Sequence, residues 1–178
     1  MVYFFILFVF FLININDFQE NPFYNRVLLP EYVTAELSWE QLLKIKEDSL
    51  SKLNITMKSG VSIDTVNTKE NIIIDSQGKS HHFDSLILAT GSRPFVPENA
   101  QLHLPGRFTI RKKDDADRLK KYLDNTNLTP EEQHVVIVGG GLLGLELAAA
   151  LKHKKVKITI IQRASRLMER QLDRISSK

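Results

Sequence analysis

Val135–Ala150 reads VVIVGGGLLGLELAAA, and this stretch decides the fold. Four apolar residues, Val135, Val136, Ile137 and Val138, run directly into Gly139-x-Gly141-x-x-Gly144. An apolar segment at helical spacing follows, and then a second apolar run over Val156–Ile161. Strand, glycine turn, helix, strand is the setting in which GxGxxG marks a dinucleotide site. Gly139 permits the tight turn. Gly141, lacking a Cβ, lets a pyrophosphate approach the backbone, and Gly144 lets the helix lie close to the strand. The start of the helix offers unpaired N–H groups and the positive end of its dipole to phosphate.

Beyond the helix the pattern changes. An acidic residue about 20 positions after the glycines ordinarily holds a ribose hydroxyl. Here the second strand ends Ile160-Ile161-Gln162-Arg163. Gln162 can serve a ribose as donor or acceptor. Arg163 is either a contact for a 2′-phosphate, which favours NADPH, or a surface charge. NADH and NADPH both stay open.

Before the glycine turn, Asn125–His134 is a polar linker and a natural domain boundary. Asp114–Leu123 predicts a short helix with acidic residues in its first turn. Leu86-Ile87-Leu88-Ala89 predicts a short strand of buried type, broken by Thr90-Gly91-Ser92. Ile55–Met57, Val61–Val66 and Asn71–Asp75 predict strands, with Ser76–Lys79 as a turn and Ser80–Phe83 as the return. Trp39–Leu53 predicts a helix whose apolar face, Trp39 included, packs in the core; Ser38 is its N-cap and Gln41 the capping-box partner. Asn14–Asn25 is turn-rich. There is no internal repeat.

At 178 residues the chain holds one domain or parts of two, and 43% hydrophobic content suits a real core. Its 24 basic and 21 acidic residues are interspersed, so no nucleic-acid partner is expected. Without cysteine there is no disulfide, no Cys-ligated zinc or iron–sulfur site and no thiol catalysis in this segment; a reducing, cytoplasmic setting fits. Val2–Ile13 is an apolar run with five phenylalanines and no preceding Lys or Arg. It lacks the charged start and cleavage site of a secretory signal, and it is shorter than the roughly 20 residues of a membrane span. A buried strand, a membrane-associating leader and an incorrect start are the three readings. A membrane partner is expected only if 2–13 is an anchor.

Taken alone, several further features are bland. Leu86–Ser92 places a flexible backbone and hydroxyls where a bulky ligand can lie, but it equally reads as a strand-to-loop turn. Arg26, in Tyr24-Asn25-Arg26, can clamp a pyrophosphate or be a surface arginine, and the same holds for Arg111. His81 and His82 point to opposite faces of a strand, so no metal site is expected.

Together these segments weigh more. YNRVLL at Tyr24–Leu29, LILATGSRPFVP at Leu86–Pro97 and VVIVGGGLLGLELA at Val135–Ala148 occur in that order. The combination resembles the flavin-dependent pyridine-nucleotide oxidoreductases. GGGLLGLE at Gly139–Glu146, LMERQLD at Leu167–Asp173, and Phe108–Arg111 with Asp114-Asp115 are most similar to the NAD(P)H nitrite reductase large subunit and the electron-transfer subunit of assimilatory nitrate reductase. The resemblance implies an α/β, Rossmann-like fold of two dinucleotide domains, with a β-rich segment in the FAD domain. Residues 17–124 would be a partial FAD-binding domain, 125–134 a linker and 135–178 the first βαβ of an NAD(P)-binding domain. Arg26 would contact the FAD pyrophosphate and the backbone around Ile63 the adenine. Ala89, Thr90 and Gly91 would line the flavin, with Arg111 near it. Gly139, Gly141, Leu142, Leu143, Gly144, Glu146 and Gln162 would form the nicotinamide-nucleotide site. Hydride would pass from NAD(P)H to flavin N5, and electrons onward to a redox acceptor domain or protein. No side chain is assigned as a general acid.

The sequence departs from that family pattern. It contains no earlier strand–GxGxxG–helix for FAD, no C-terminal return of the FAD domain, and neither the cysteine-ligated iron–sulfur region nor the sirohaem domain of nitrite reductase. Only 44 residues run from Val135 to Lys178. The expectation is therefore a piece of such a flavoprotein. A rubredoxin- or ferredoxin-type NAD(P)H reductase and a non-catalytic nucleotide-binding fragment are the alternatives.

Overall fold

The computed structural model describes residues 23–44, 58, 60–169 and 171–176. The apolar run at 2–13 and the expected strand at 55–57 lie outside them. The chain groups into two compact units, one of residues 1–24 and 44–93, the other of 25–43 and 94–178. The stretch 125–134 lies inside the second unit. Among the described residues, no helix is long and apolar enough to cross a membrane.

The described part of the first unit is an antiparallel sheet of β1 (Ile63–Asn67), β2 (Ile72–Asp75) and β3 (Ser80–His82), in that order. The turn at Ser76–Lys79 forms as its residues predict. Gly78 takes a left-handed φ of 77°, and its N–H donates to the Asp75 carbonyl at 2.8 Å. Asp75 organises the same turn through its side chain. Oδ1 accepts from the Gln77 and Lys79 N–H groups at 3.0 and 2.9 Å, and Oδ2 lies 2.8 Å from His81 Nε2. The histidine pair stays split across the strand: His81 turns to Asp75 while His82 is exposed. Ile63 and Ile73 form the core, with Val61, Phe83, Leu86 and Ala89 against them.

Leu86–Ala89 corrects an expectation. It is not a strand of any sheet among the described residues, and Ile87 and Leu88 are 51% and 62% exposed. A buried strand needs ladder partners and covered faces, and no described strand supplies them. Only Leu86 and Ala89 reach the apolar cluster.

The second unit contains α1 (Leu29–Val33), α2 (Trp39–Leu42), α3 (Lys113–Asp124), β4 (His134–Val138), α4 (Leu142–Lys152) and β5 (Lys157–Ile161). Helix α1 packs on α3 and α4. Leu29, Val33, Leu42, Ala116, Leu119, Ile137, Ala150 and Leu151 are buried there. The expected helix from Trp39 begins as predicted: the Ser38 N–H donates to Gln41 Oε1 at 2.8 Å, completing a capping box. It ends at Leu42, where Leu43 is extended; residues 45–53 of the expected helix lie outside the described residues. The Leu42 carbonyl accepts from the Asn25 N–H at 2.8 Å, and the Lys44 N–H donates to the Phe23 carbonyl at 3.0 Å. Backbone groups that would continue the helix are thus taken by an extended segment. Trp39 packs edge-on to Tyr32, with ring centroids 6.0 Å apart, and the Lys113 ammonium lies 5.0 Å from its ring. The Tyr32 hydroxyl donates to Asp117 at 2.6 Å. Burial, and then that hydrogen bond to a carboxylate, raise the phenol pKa above its ordinary value.

Helix α3 appears where its acidic start predicts. Asp115, buried, accepts from the Arg111 and Lys112 N–H groups at 3.0 and 3.1 Å and pairs with Arg118. One carboxylate thereby satisfies two donors at the head of the helix.

Candidate nucleotide site

Strands β4 and β5 pair in parallel, with Val135 opposite Ile158, Ile137 opposite Ile160 and Val138 opposite Ile161. The Gly139 N–H extends the ladder to the Ile161 carbonyl at 2.8 Å. Gly139 then turns with φ 118°, a conformation side chains resist. Gly141 is the N-cap of α4, and among the described residues no side chain caps the helix. Its first N–H groups therefore face outward without an intrahelical partner, as an anion site requires.

The glycines divide the work as their spacing predicts. A Cβ on Gly144 would collide with the Gly139 carbonyl oxygen, so α4 lies against the turn too closely for any side chain. A Cβ on Gly141 would meet nothing within 4 Å. Leu142 and Leu143 follow, 51% and 60% exposed. One turn further, Glu146 Oε2 is buried with no hydrogen-bond partner among the described residues. Such an orphan acceptor is costly unless a ligand donates to it.

Three features of the turn were not read from the sequence. Gln162 Oε1 accepts the Gly140 N–H at 2.9 Å. A backbone N–H can only donate, so this contact fixes which end of the amide is oxygen and leaves Nε2 as a donor for a ribose. A Cβ on Gly140 would meet Leu167 Cδ2, the movable end of a side chain, so the leucine would have to shift to admit it. The Met168 N–H donates to the Gly140 carbonyl at 3.0 Å. LMERQLD thus closes over the turn. Arg166 holds that loop through the Leu172 and Glu169 carbonyls at 2.6 and 2.9 Å. Asp173 accepts from the Ser176 and Ile175 N–H groups, and the Ser176 N–H above all holds its carboxyl below the ordinary range. Arg163 is exposed.

The remaining candidates fall in both units. Arg26 opens a short 3-10 helix, Arg26–Leu28, behind Asn25, whose side chain accepts the Val27 N–H at 3.3 Å. Arg26 is exposed. Arg111 is half-buried ahead of α3. Ile63 puts its side chain into the first unit's core, leaving only its backbone for other use. Ala89 is half-buried, whereas Thr90 and Gly91 are exposed, and Gly91 has φ 71° with open space beside it. Among the described residues, no cluster of three His, Cys, Asp or Glu is placed to hold a metal.

Residues 11–178 match the pyridine nucleotide-disulphide oxidoreductase family. The chain belongs to this family. Within it, the sequence is 35% identical over 150 residues to the nitrite reductase [NAD(P)H] large subunit of Klebsiella oxytoca, covering 84% of this chain and 15% of that protein. It is 28% identical over 160 residues to the assimilatory nitrate reductase electron transfer subunit of Bacillus subtilis (strain 168), covering 90% of this chain and 20% of that protein. The chain thus spans a fifth or less of the length of these relatives. In three dimensions it is similar to a chain of the covalent putidaredoxin reductase–putidaredoxin complex, with TM-score 0.74, 25% identity, and coverage of 84% of this chain and 36% of that one. The fold is part of the α/β, Rossmann-like architecture of FAD- and NAD(P)-binding oxidoreductases, as the resemblance implies. Family membership implies a flavin and a pyridine nucleotide as cofactors.

Proposed function

We propose that this chain is the nucleotide-handling part of a cytoplasmic NAD(P)H:flavin oxidoreductase of nitrite or nitrate assimilation. The observation that carries the reading is the parallel β4–glycine turn–α4–β5 unit, open beside Gly141 and closely packed at Gly144. The uncapped head of α4 takes the pyrophosphate of NAD(P)H. Leu142 and Leu143 give the nucleotide an apolar contact, and the unpaired Oε2 of Glu146 accepts from its carboxamide. Gln162 Nε2 donates to the adenosine ribose, and exposed Arg163 accommodates a 2′-phosphate, so the site accepts NADPH as well as NADH.

The flavin is FAD in this reading. Residues 17–124 belong to its domain and 135–178 to that of NAD(P)H, with 125–134 joining them. Arg26 holds the FAD pyrophosphate, the backbone around Ile63 meets the adenine, and Ala89–Gly91 and Arg111 border the flavin. The open, left-handed backbone at Gly91 fits a ring laid against it. When bound, the two cofactors supply the redox chemistry, a hydride leaving NAD(P)H for flavin N5. The chain's own residues bind, orient and exclude water.

Nitrite reductase large subunits and nitrate reductase electron-transfer subunits are the relatives that favour an assimilatory acceptor. The likeness to putidaredoxin reductase in its complex with putidaredoxin favours a second reading, in which a separate redox protein is the acceptor. Purified chain supplied with FAD tests the proposal: it should retain the flavin and lose its visible absorbance when NADH or NADPH is added without oxygen. Failure to retain flavin, together with no NAD(P)H-driven dye reduction, would contradict it.

A further inference from the structure

A cavity lies away from the glycine turn. It has a volume of about 980 Å³ and opens between the loop Leu102–Thr109 and the last turns of α3 with the residues that follow. The loop is built onto the helix. Phe108 packs edge-on against Tyr122, with centroids 5.2 Å apart. Gly106, at φ 76°, passes so near that a Cβ would sit 2.9 Å from the Tyr122 hydroxyl oxygen. Arg107 Nη1 donates to the Ala100 carbonyl and to Gln101 Oε1 at 2.9 and 3.0 Å.

The charge in this cavity has one sign. Arg107, Arg118 and Lys121 line it, with His103 beside them, and no Asp or Glu does. Arg118 answers Asp115 at the head of α3. Among the described residues, Arg107 meets neutral acceptors. Lys121 suits the negative end of the helix dipole, but that does not account for Arg107. Cations around one concave surface sum to a positive potential that draws an anion. The volume is at the upper end for small-molecule sites, far beyond what inorganic phosphate fills. Tyr122, 47% exposed, adds an aromatic surface, and Asn125, Thr126 and Asn127 add amide and hydroxyl groups.

We propose that this cavity binds a phosphorylated nucleoside, its phosphates against Arg107 and Lys121 and its base on Tyr122. The site shares no residue with the glycine turn. A concave, aromatic-walled cavity suits a small molecule better than the broad surface of an acidic protein.

The test is amide-resolved NMR of the full chain titrated with ADP, with adenosine and a poly-glutamate peptide as comparisons. ADP should shift Gly106, Arg107 and Tyr122 saturably, and adenosine should do so far more weakly. Lys121→Glu, an exposed helix position, and Arg107→Gln should each weaken the response by about tenfold, the loss of one charge-assisted contact. Circular dichroism verifies that each variant folds. Resonances of Gly139–Gly144 report the dinucleotide site separately in the same spectra. ADP shifts confined to Gly139–Gly144, an undiminished response in both variants, or binding of poly-glutamate without ADP binding would each overturn the proposal.

Discussion

Gly141 and Gly144 sit three residues apart and meet opposite demands. Gly144→Ala drives a methyl into the Gly139 carbonyl and should destabilise the fold by about 1–3 kcal/mol in urea unfolding. Gly141→Ala points its methyl into open space, so the unfolding midpoint should hold while NAD(P)H binding weakens. Equal stability losses for the two would refute this division. Arg163→Gln should lower affinity for NADPH relative to NADH by about tenfold, or ~1.4 kcal/mol; an unchanged ratio in competitive titration would make Arg163 a surface charge only. Asp75 gives a pH signature. The hydrogen bond from His81, against the opposing effect of burial and aided by the Lys79 and Gln77 N–H groups, lowers its carboxyl pKa. Its contribution to stability is then full above the unfolded value of about 3.9 and disappears as pH falls through the lower folded value. Asp75→Asn should therefore show a shallower loss of stability in acid than the parent, whereas parallel profiles would show that the depressed carboxyl has no such role.

At the scale of elements, the head of α3 depends on one carboxylate. Asp115→Ala frees the Arg111 and Lys112 N–H groups and should cost about 1–2 kcal/mol; a thermal-melt difference near zero would exclude it as the cap. Elements written in neighbouring residues were legible from the sequence. The β4–turn–α4–β5 unit, the hairpin turn at Gly78 and the capping box at Ser38 each follow from residues within a few positions. Elements decided at long range were not. Leu86–Ala89 has strand composition, but a strand exists only with a ladder partner. Helix α2 ends early because residues near Phe23 take its backbone groups, and no local pattern announces that. Gln162 and Gly140 lie far apart in sequence, so their hydrogen bond stays hidden until β5 returns beside β4. The contact of Leu167 with Gly140 is hidden likewise, because Leu167 arrives from the closing loop.

For the whole molecule, the central claim is that the glycine turn binds a pyridine nucleotide. The claim about the turn depends only on groups already in place: an uncapped helix head, an open Gly141, an orphan carboxylate oxygen and a turn locked by Gln162 and Met168. Titration of the full chain with NADPH and NADH, followed by nicotinamide fluorescence, tests it directly. Saturable binding should be seen, reduced by tenfold or more in Gly141→Val while the unfolding midpoint is retained. No saturable binding to the folded parent, or equal binding by parent and variant, would contradict the account.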